Sequence, residues 1–130
     1  DFDTINDKLD LTGTKINIAD AAAATDGIGA VTGAVAGDTL SLTVANGVVI
    51  MTGTAVSKVD TITEVKAIVE LLDNDSVDGE IAAVEIATGT YIHTEKAGGD
   101  LEGDLLFLEG VDGITSISTV AGGAETLLIA

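Results

Sequence analysis

Acidic side chains in close groups are the residues of this sequence whose types and spacing fit a defined chemistry. Ca²⁺ takes six to eight hard oxygen ligands, which clustered carboxylates and backbone carbonyls supply. Three such groups occur: at the start of the chain, between residues 73 and 80, and between residues 100 and 104. We therefore predict calcium ligands in these groups, at Asp1, Asp3, Asp73, Asp75, Asp78, Asp100, Glu102 and Asp104.

Each group also has a simpler interpretation, as an exposed acidic strand or a solvated turn whose Asp and Asn side chains bond nearby backbone N–H groups. The group at 73–80 lacks the spacing of an EF-hand, because its third acid and its glycine each stand one place late. Val84 also occupies the twelfth position, where an EF-hand has glutamate. A further interpretation is an ion shared between two molecules, which would cancel repulsion at a contact.

The overall charge excludes several classes of partner. The chain of 130 residues has 22 acids against five lysines and a net charge of −17. Nucleic acid and anionic membranes would be repelled, whereas cations would be attracted. No apolar run approaches the ~18 residues of a membrane span, so we expect no membrane insertion. Because repulsion also opposes assembly, divalent cations are the expected neutralising partners.

Residues for catalysis are sparse. His93 is the one histidine, and in a strand-like run we expect it on the surface rather than as a base. The chain has no cysteine, which excludes disulfides and thiolate metal sites, and no G-x-S-x-G motif. The 22 acids leave a carboxylate pair for glycoside hydrolysis open, but three aromatic residues are few for a sugar site. We predict that the chain is not an enzyme.

Hydrophobic periodicity predicts short strands for most of the chain. Residues 39–44 alternate polar and apolar side chains, and Asn46-Gly47 is a strong hairpin signal before a returning strand at 48–52. Further strands are predicted at 81–88, 90–95, 104–109, 114–119 and 126–129. Gly, Asp and Asn separate most of these runs. The pattern indicates one mainly β domain over 1–130, an antiparallel sandwich or roll.

One segment has the spacing of an amphipathic helix, at about 61–73. Thr61 and Glu64 fit a capping box at its start. Its apolar positions fall on one face, which we expect to lie against the sheet: Ile62, Val65, Ile68, Val69 and Leu72. Residues 19–37 are instead rich in small side chains, and fit either a tightly packed strand pair or an arm that pairs with a neighbouring chain.

Both ends of the chain resemble segments of known protein families. The opening, Asp1-Phe2-Asp3-Thr4-Ile5-Asn6-Asp7-Lys8-Leu9-Asp10-Leu11, resembles the segment that closes the calcium-binding β-roll of RTX proteins. The resemblance implies that residues 1–12 cap a preceding roll, with Asp1 and Asp3 completing its last calcium turn. It departs from the family in one respect, since no full G-G-x-G-x-D-x-U-x repeat is present. Calcium binding therefore depends on the local acids.

The end of the chain is similar to the C-terminal domains of S-layer and giant RTX-type proteins. The run from Gly89 to His93, followed by Gly98 to Val111, looks like their final hairpin. The closing residues resemble their uncleaved type I secretion signal, an acid and then a short apolar terminus, here Glu125, Leu127, Leu128 and Ile129. The resemblance implies an extracellular, cell-surface location and recognition by an ABC exporter.

Together these observations predict a calcium-dependent structural domain that assembles with itself into a surface layer or filament. Because the sequence begins at Asp1 rather than Met, we expect a processed product or a domain of a longer protein. Two alternatives remain open: a C-terminal export module, and a calcium-dependent adhesin module that binds a glycan or host surface.

Overall fold

The computed structural model describes most of the chain, and strands dominate it. The described residues are 9–10, 17–18, 23–25, 27–72, 80–94, 104–120 and 123–129. They contain one α-helix, α1 (Ile62–Leu72), and two short 3₁₀ turns, Gly27–Ala30 and Val56–Lys58. The strands are β1 (Leu9–Asp10), β2 (Asn17–Ile18), β3 (Ala23–Thr25), β4 (Ser41–Ala45), β5 (Val48–Thr52), β6 (Glu80–Ile86), β7 (Gly89–Thr94), β8 (Asp104–Glu109), β9 (Ile117–Val120) and β10 (Gly123–Ile129).

The strands form two sheets. The larger has the order β3-β4-β5-β6-β7-β8, with β2 beside β6, and the smaller has the order β1-β10-β9. The predicted mainly β fold with one helix is confirmed. Two pairings depart from the expected antiparallel pattern, because β2 and β5 each run parallel to β6. For the β5–β6 pair the chain order gives the cause, since α1 lies in the connection between them, and a crossover of this kind returns the chain to the end where it started.

The predicted hairpin at Asn46-Gly47 joins β4 to β5. Both residues have positive φ, 52° and 74°, as a two-residue turn of type I′ requires. The turn is held at both carbonyls, since the Asn46 oxygen accepts the N–H of Ile117 and the Gly47 oxygen accepts the N–H of Ala83. This hairpin therefore links the large sheet to the start of β9.

Apolar side chains are buried on both faces of the large sheet. On one face, Val49 and Val84 pack with Val65, Ile68 and Val69 of α1. On the other face lie Val48, Ile81, Ala83 and Ile92, covered by the segment from Val111 to Ile117. The sheet is thus the middle layer between a helix and a strand-bearing segment.

The helix α1 begins with the predicted capping box. The Thr61 hydroxyl accepts the N–H of Glu64 at 3.4 Å, and Glu64 Oε2 accepts the N–H groups of Thr61 and Asp60 at 3.1 and 2.9 Å. Ile62, predicted on the apolar face, is instead exposed; it is the first residue of α1, and the buried apolar residues of the helix begin with Val65. The side chain of Leu72 lies outside the described residues.

Glu64 also reaches a distant segment. Its Oε1 accepts the N–H of Thr32 at 2.9 Å, so one nearly buried carboxylate ties the helix start to the loop after the first 3₁₀ turn. Burial by itself raises the pKa of Glu64, but the N–H bonds from Asp60, Thr61 and Thr32 outweigh it, and the pKa lies below its ordinary value of 4.5. The lowered pKa means that the ionised form stabilises the fold.

We expect Glu64→Ala to lower the free energy of unfolding by about 2–4 kcal/mol at neutral pH, because three backbone donors lose a charged acceptor. Glu64→Gln, which keeps one neutral acceptor, should cost about 1–2 kcal/mol. Urea unfolding followed by circular dichroism measures both.

The pH dependence has a definite sign. A carboxyl whose folded pKa is lowered contributes stability above its unfolded pKa and loses it as pH falls through the folded value. The advantage of the natural chain over Glu64→Gln should therefore be full above pH 4.5 and shrink below it. An advantage that stays constant down to pH 3 contradicts this assignment.

Candidate functional site

Most of the predicted calcium ligands lie outside the described residues. This holds for Asp1, Asp3, Asp73, Asp75, Asp78, Asp100 and Glu102. Asp104 is described through its backbone, as the first residue of β8, where it pairs with Thr94. Within the described part of the chain, no group of three or more His, Asp or Glu side chains converges. The calcium site stays a prediction.

The residues predicted as an export signal lie in β10. This strand is paired on both sides: Leu127 stands opposite Leu9 of β1 and Thr119 of β9, and Ile129 stands opposite Ile117. Glu125 falls where the register with β9 shifts, between Gly123 and Leu127. In the folded chain this segment is a paired strand, so an exporter would have to read it before the strand pairs.

Asp38 joins two loops through an ion pair that the sequence analysis missed. Its Oδ2 contacts Lys58 Nζ and accepts the N–H of Val35 at 2.8 Å, and Oδ1 accepts the Thr54 hydroxyl at 3.3 Å. Lys58 also donates to the Gly33 carbonyl at 3.1 Å. The bond from Lys58, then that from Val35, holds the pKa of Asp38 below its ordinary value of 3.8.

Glu85 holds the segment that covers the second face of the sheet. Its Oε2 accepts the N–H of Gly113 at 2.7 Å and that of Ile114 at 3.2 Å. Gly113 has a φ of 69°, in the left-handed region that favours glycine. The partners are 28 and 29 residues away in sequence, so no local spacing could have revealed them.

His93 is buried, contrary to the surface position expected from the sequence. It lies in β7 as predicted, opposite Ala82 of β6 and Leu105 of β8. The alternation of β7 places it on the same face as Tyr91, which packs against the cluster beneath α1. A strand flanked on both sides buries its side chains more than the local sequence suggests.

The strand β8 forms one edge of the large sheet. It carries four apolar residues between two acids, Asp104 and Glu109, and within the described residues its pairing is with β7 alone. Leu106 and Phe107 are 39% and 37% exposed and point to opposite faces. Phe107 is in contact with the half-buried Tyr91 ring, with the centroids 4.6 Å apart. Both faces of this edge therefore present apolar surface.

The backbone of β8 alternates between its neighbour and the open edge. The N–H of Gly110 bonds the Thr88 carbonyl at 2.9 Å, which makes 88 and 110 a hydrogen-bonded pair in the β7–β8 register. Such pairs recur at every second residue of an antiparallel ladder. Leu106 and Leu108 therefore bond β7, whereas the N–H and C=O groups of Leu105 and Phe107 point outward from the sheet.

Among the clefts on the described surface are two that collect no catalytic groups. One, of about 290 Å³, lies between the first 3₁₀ turn and α1 and includes Glu70 as its one acid. The other, of about 260 Å³, lies beside β5 and the end of β6 and includes Glu85, which already holds the 113–114 backbone. Neither cleft pairs an acid with a base or with a second carboxylate.

The comparisons with known proteins leave the chain without a named relative. No family model, no curated protein and no solved structure matches it. Among the described residues, no helix is long and apolar enough to cross a membrane.

We expect Glu85→Ala to speed amide hydrogen exchange at Gly113 and Ile114 by about tenfold or more, because a hydrogen bond to a charged acceptor contributes about 1.5–3 kcal/mol. Nuclear magnetic resonance of the exchanging amides measures this directly. Glu109→Ala, which removes an exposed acid in β8, is the matched control and should leave both rates unchanged. Equal rates in all three chains would show that Glu85 does not hold the segment.

Proposed function

We propose that this chain is a calcium-dependent structural domain of an exported bacterial surface protein, which assembles with itself into a layer or filament. The observation that carries the proposal is the apolar edge strand β8, open on its outer side within the described residues and closed by an acid at each end. Calcium bound by these and neighbouring acids would control whether two edges meet.

The edge supports assembly through its backbone. Exposed edges template pairing with another strand, and natural proteins usually protect them with short length, charge or proline. β8 has six residues and no proline, and its charges stand at its ends rather than between its apolar side chains. A strand added here would gain backbone hydrogen bonds at Leu105 and Phe107 and cover apolar surface on both faces.

The charge supports a cation as the control. At a net charge of −17, two copies repel each other, and β8 contributes no lysine of its own. Asp104 and Glu109 flank the edge, and the predicted ligands Asp100 and Glu102 precede it in sequence. Divalent calcium, which binds several carboxylate oxygens at once, would remove the repulsion where the two edges approach.

The described acids support a structural rather than a catalytic role. Glu64, Asp38 and Glu85 each accept backbone N–H groups, and Asp38 is also paired with Lys58. Their carboxylates are occupied in joining segments of the fold. This use of acids fits a domain whose function is to be a stable unit of a larger assembly.

We expect the purified chain to form ordered sheets or filaments in millimolar calcium and to stay dispersed in chelator. Negative-stain microscopy and sedimentation velocity measure the outcome. Magnesium at equal concentration is the matched control, since it provides the same ionic strength but requires a smaller, octahedral site, and should assemble the chain poorly. A chain that stays monomeric in calcium at high concentration contradicts the proposal.

A further inference from the structure

We infer that β8 is the junction itself, and that it pairs antiparallel with β8 of a second copy of this chain about a two-fold axis. The inference rests on the proposed function for its dependence on calcium, and it adds the place, the partner strand and the direction of pairing. Three observations support it: the length of the edge, the order of its side chains and the direction of its free backbone groups.

Length distinguishes β8 from the other open edges. The remaining strands with one described partner are β1 and β2, of two residues, β3, of three, and β9, of four. β8 has six residues, which suffices for several hydrogen bonds to a partner strand. A strand that matches β8 must be of similar length and apolar on both faces, and β8 of a second copy meets both conditions.

The order of side chains selects the antiparallel direction. A parallel pairing in register would place Asp104 against Asp104 and Glu109 against Glu109, and like charges directly opposite are destabilising. An antiparallel pairing about a two-fold axis keeps each face of the sheet continuous. If the two-fold axis passes at Leu106, Leu105 of one copy stands opposite Phe107 of the other. If the axis passes at Phe107, Leu106 of one copy stands opposite Leu108 of the other.

Either antiparallel register leaves acids of both copies near each end of the junction. Asp104 of one strand then stands one position along the ladder from the residue opposite Glu109 of the other, so the two acids lie at the same end of the junction on opposite faces of the sheet. This happens twice because of the symmetry. The apolar centre is free of charge, while the ends concentrate negative charge that a cation would neutralise. Calcium would therefore neutralise charge at the ends of the junction, and backbone hydrogen bonds would join the two strands at its centre.

Cysteine cross-linking tests the junction directly, because the natural chain has no cysteine. Residues opposite each other in an antiparallel pair have Cα atoms about 4.5–5.5 Å apart, within the range of a disulfide. We expect Leu106→Cys or Phe107→Cys, according to the register, to form a covalent dimer under mild oxidant in calcium. The rate should be at least tenfold above that in chelator.

Ile50→Cys is the matched control for collisions. Ile50 is 46% exposed, a fraction similar to the 39% of Leu106, and it lies on the same face of the sheet. It belongs, however, to the interior strand β5. It should cross-link slowly in both conditions. If neither Leu106→Cys nor Phe107→Cys exceeds this control while the natural chain assembles in calcium, the β8 junction is wrong and the proposed function stands.

Two lysine variants test the junction without cross-linking. Leu106→Lys should abolish assembly in calcium, whereas Ile50→Lys should assemble like the natural chain, with thermal unfolding confirming that both variants are folded. Assembly of both variants would overturn the junction. No assembly of the natural chain would overturn the proposed function instead, and fast cross-linking in chelator would overturn the role of calcium.

Discussion

Burial of the central strand β6 on both faces is the constraint on which the rest of this structure depends. Its alternating side chains belong to two separate apolar clusters, so the sheet needs a cover on each side. The helix α1 supplies one cover, and the segment from Val111 to Ile117 supplies the other. Both covers serve the middle of the sheet. The side chains of β8 are less covered, since Leu106 and Phe107 remain partly exposed to solvent. Within the described residues, β8 forms an edge of this sheet.

Carboxylate side chains join distant segments in the described part of this chain. Glu64 ties the start of α1 to a loop 32 residues earlier, Asp38 joins the same loop region to Lys58, and Glu85 holds the second cover. Each carboxylate accepts backbone N–H groups, and Asp38 is also paired with Lys58. Glu109, at the end of β8, is exposed.

Local pattern predicted much of this fold, and long-range pairing set the remainder. The Asn46-Gly47 hairpin, the Thr61–Glu64 capping box and the strands β4 to β8 were all readable from spacing, because turn chemistry and periodicity act over a few residues. The parallel β5–β6 pair and the burial of His93 were not, since they depend on neighbours distant in sequence. The predicted calcium ligands other than Asp104 lie outside the described residues, and their role stays a prediction.

Residue-resolved amide exchange of the natural chain, with calcium and with chelator, shows whether the outer edge of β8 pairs with another strand when calcium is present. The β7–β8 register leaves the amides of Leu105 and Phe107 pointing outward, while those of Leu106 and Leu108 bond β7 in either condition. We predict that calcium slows exchange at Leu105 and Phe107 and leaves Leu106 and Leu108 nearly unchanged. Equal exchange at Leu105 and Phe107 in both conditions, in samples that assemble with calcium, would contradict it.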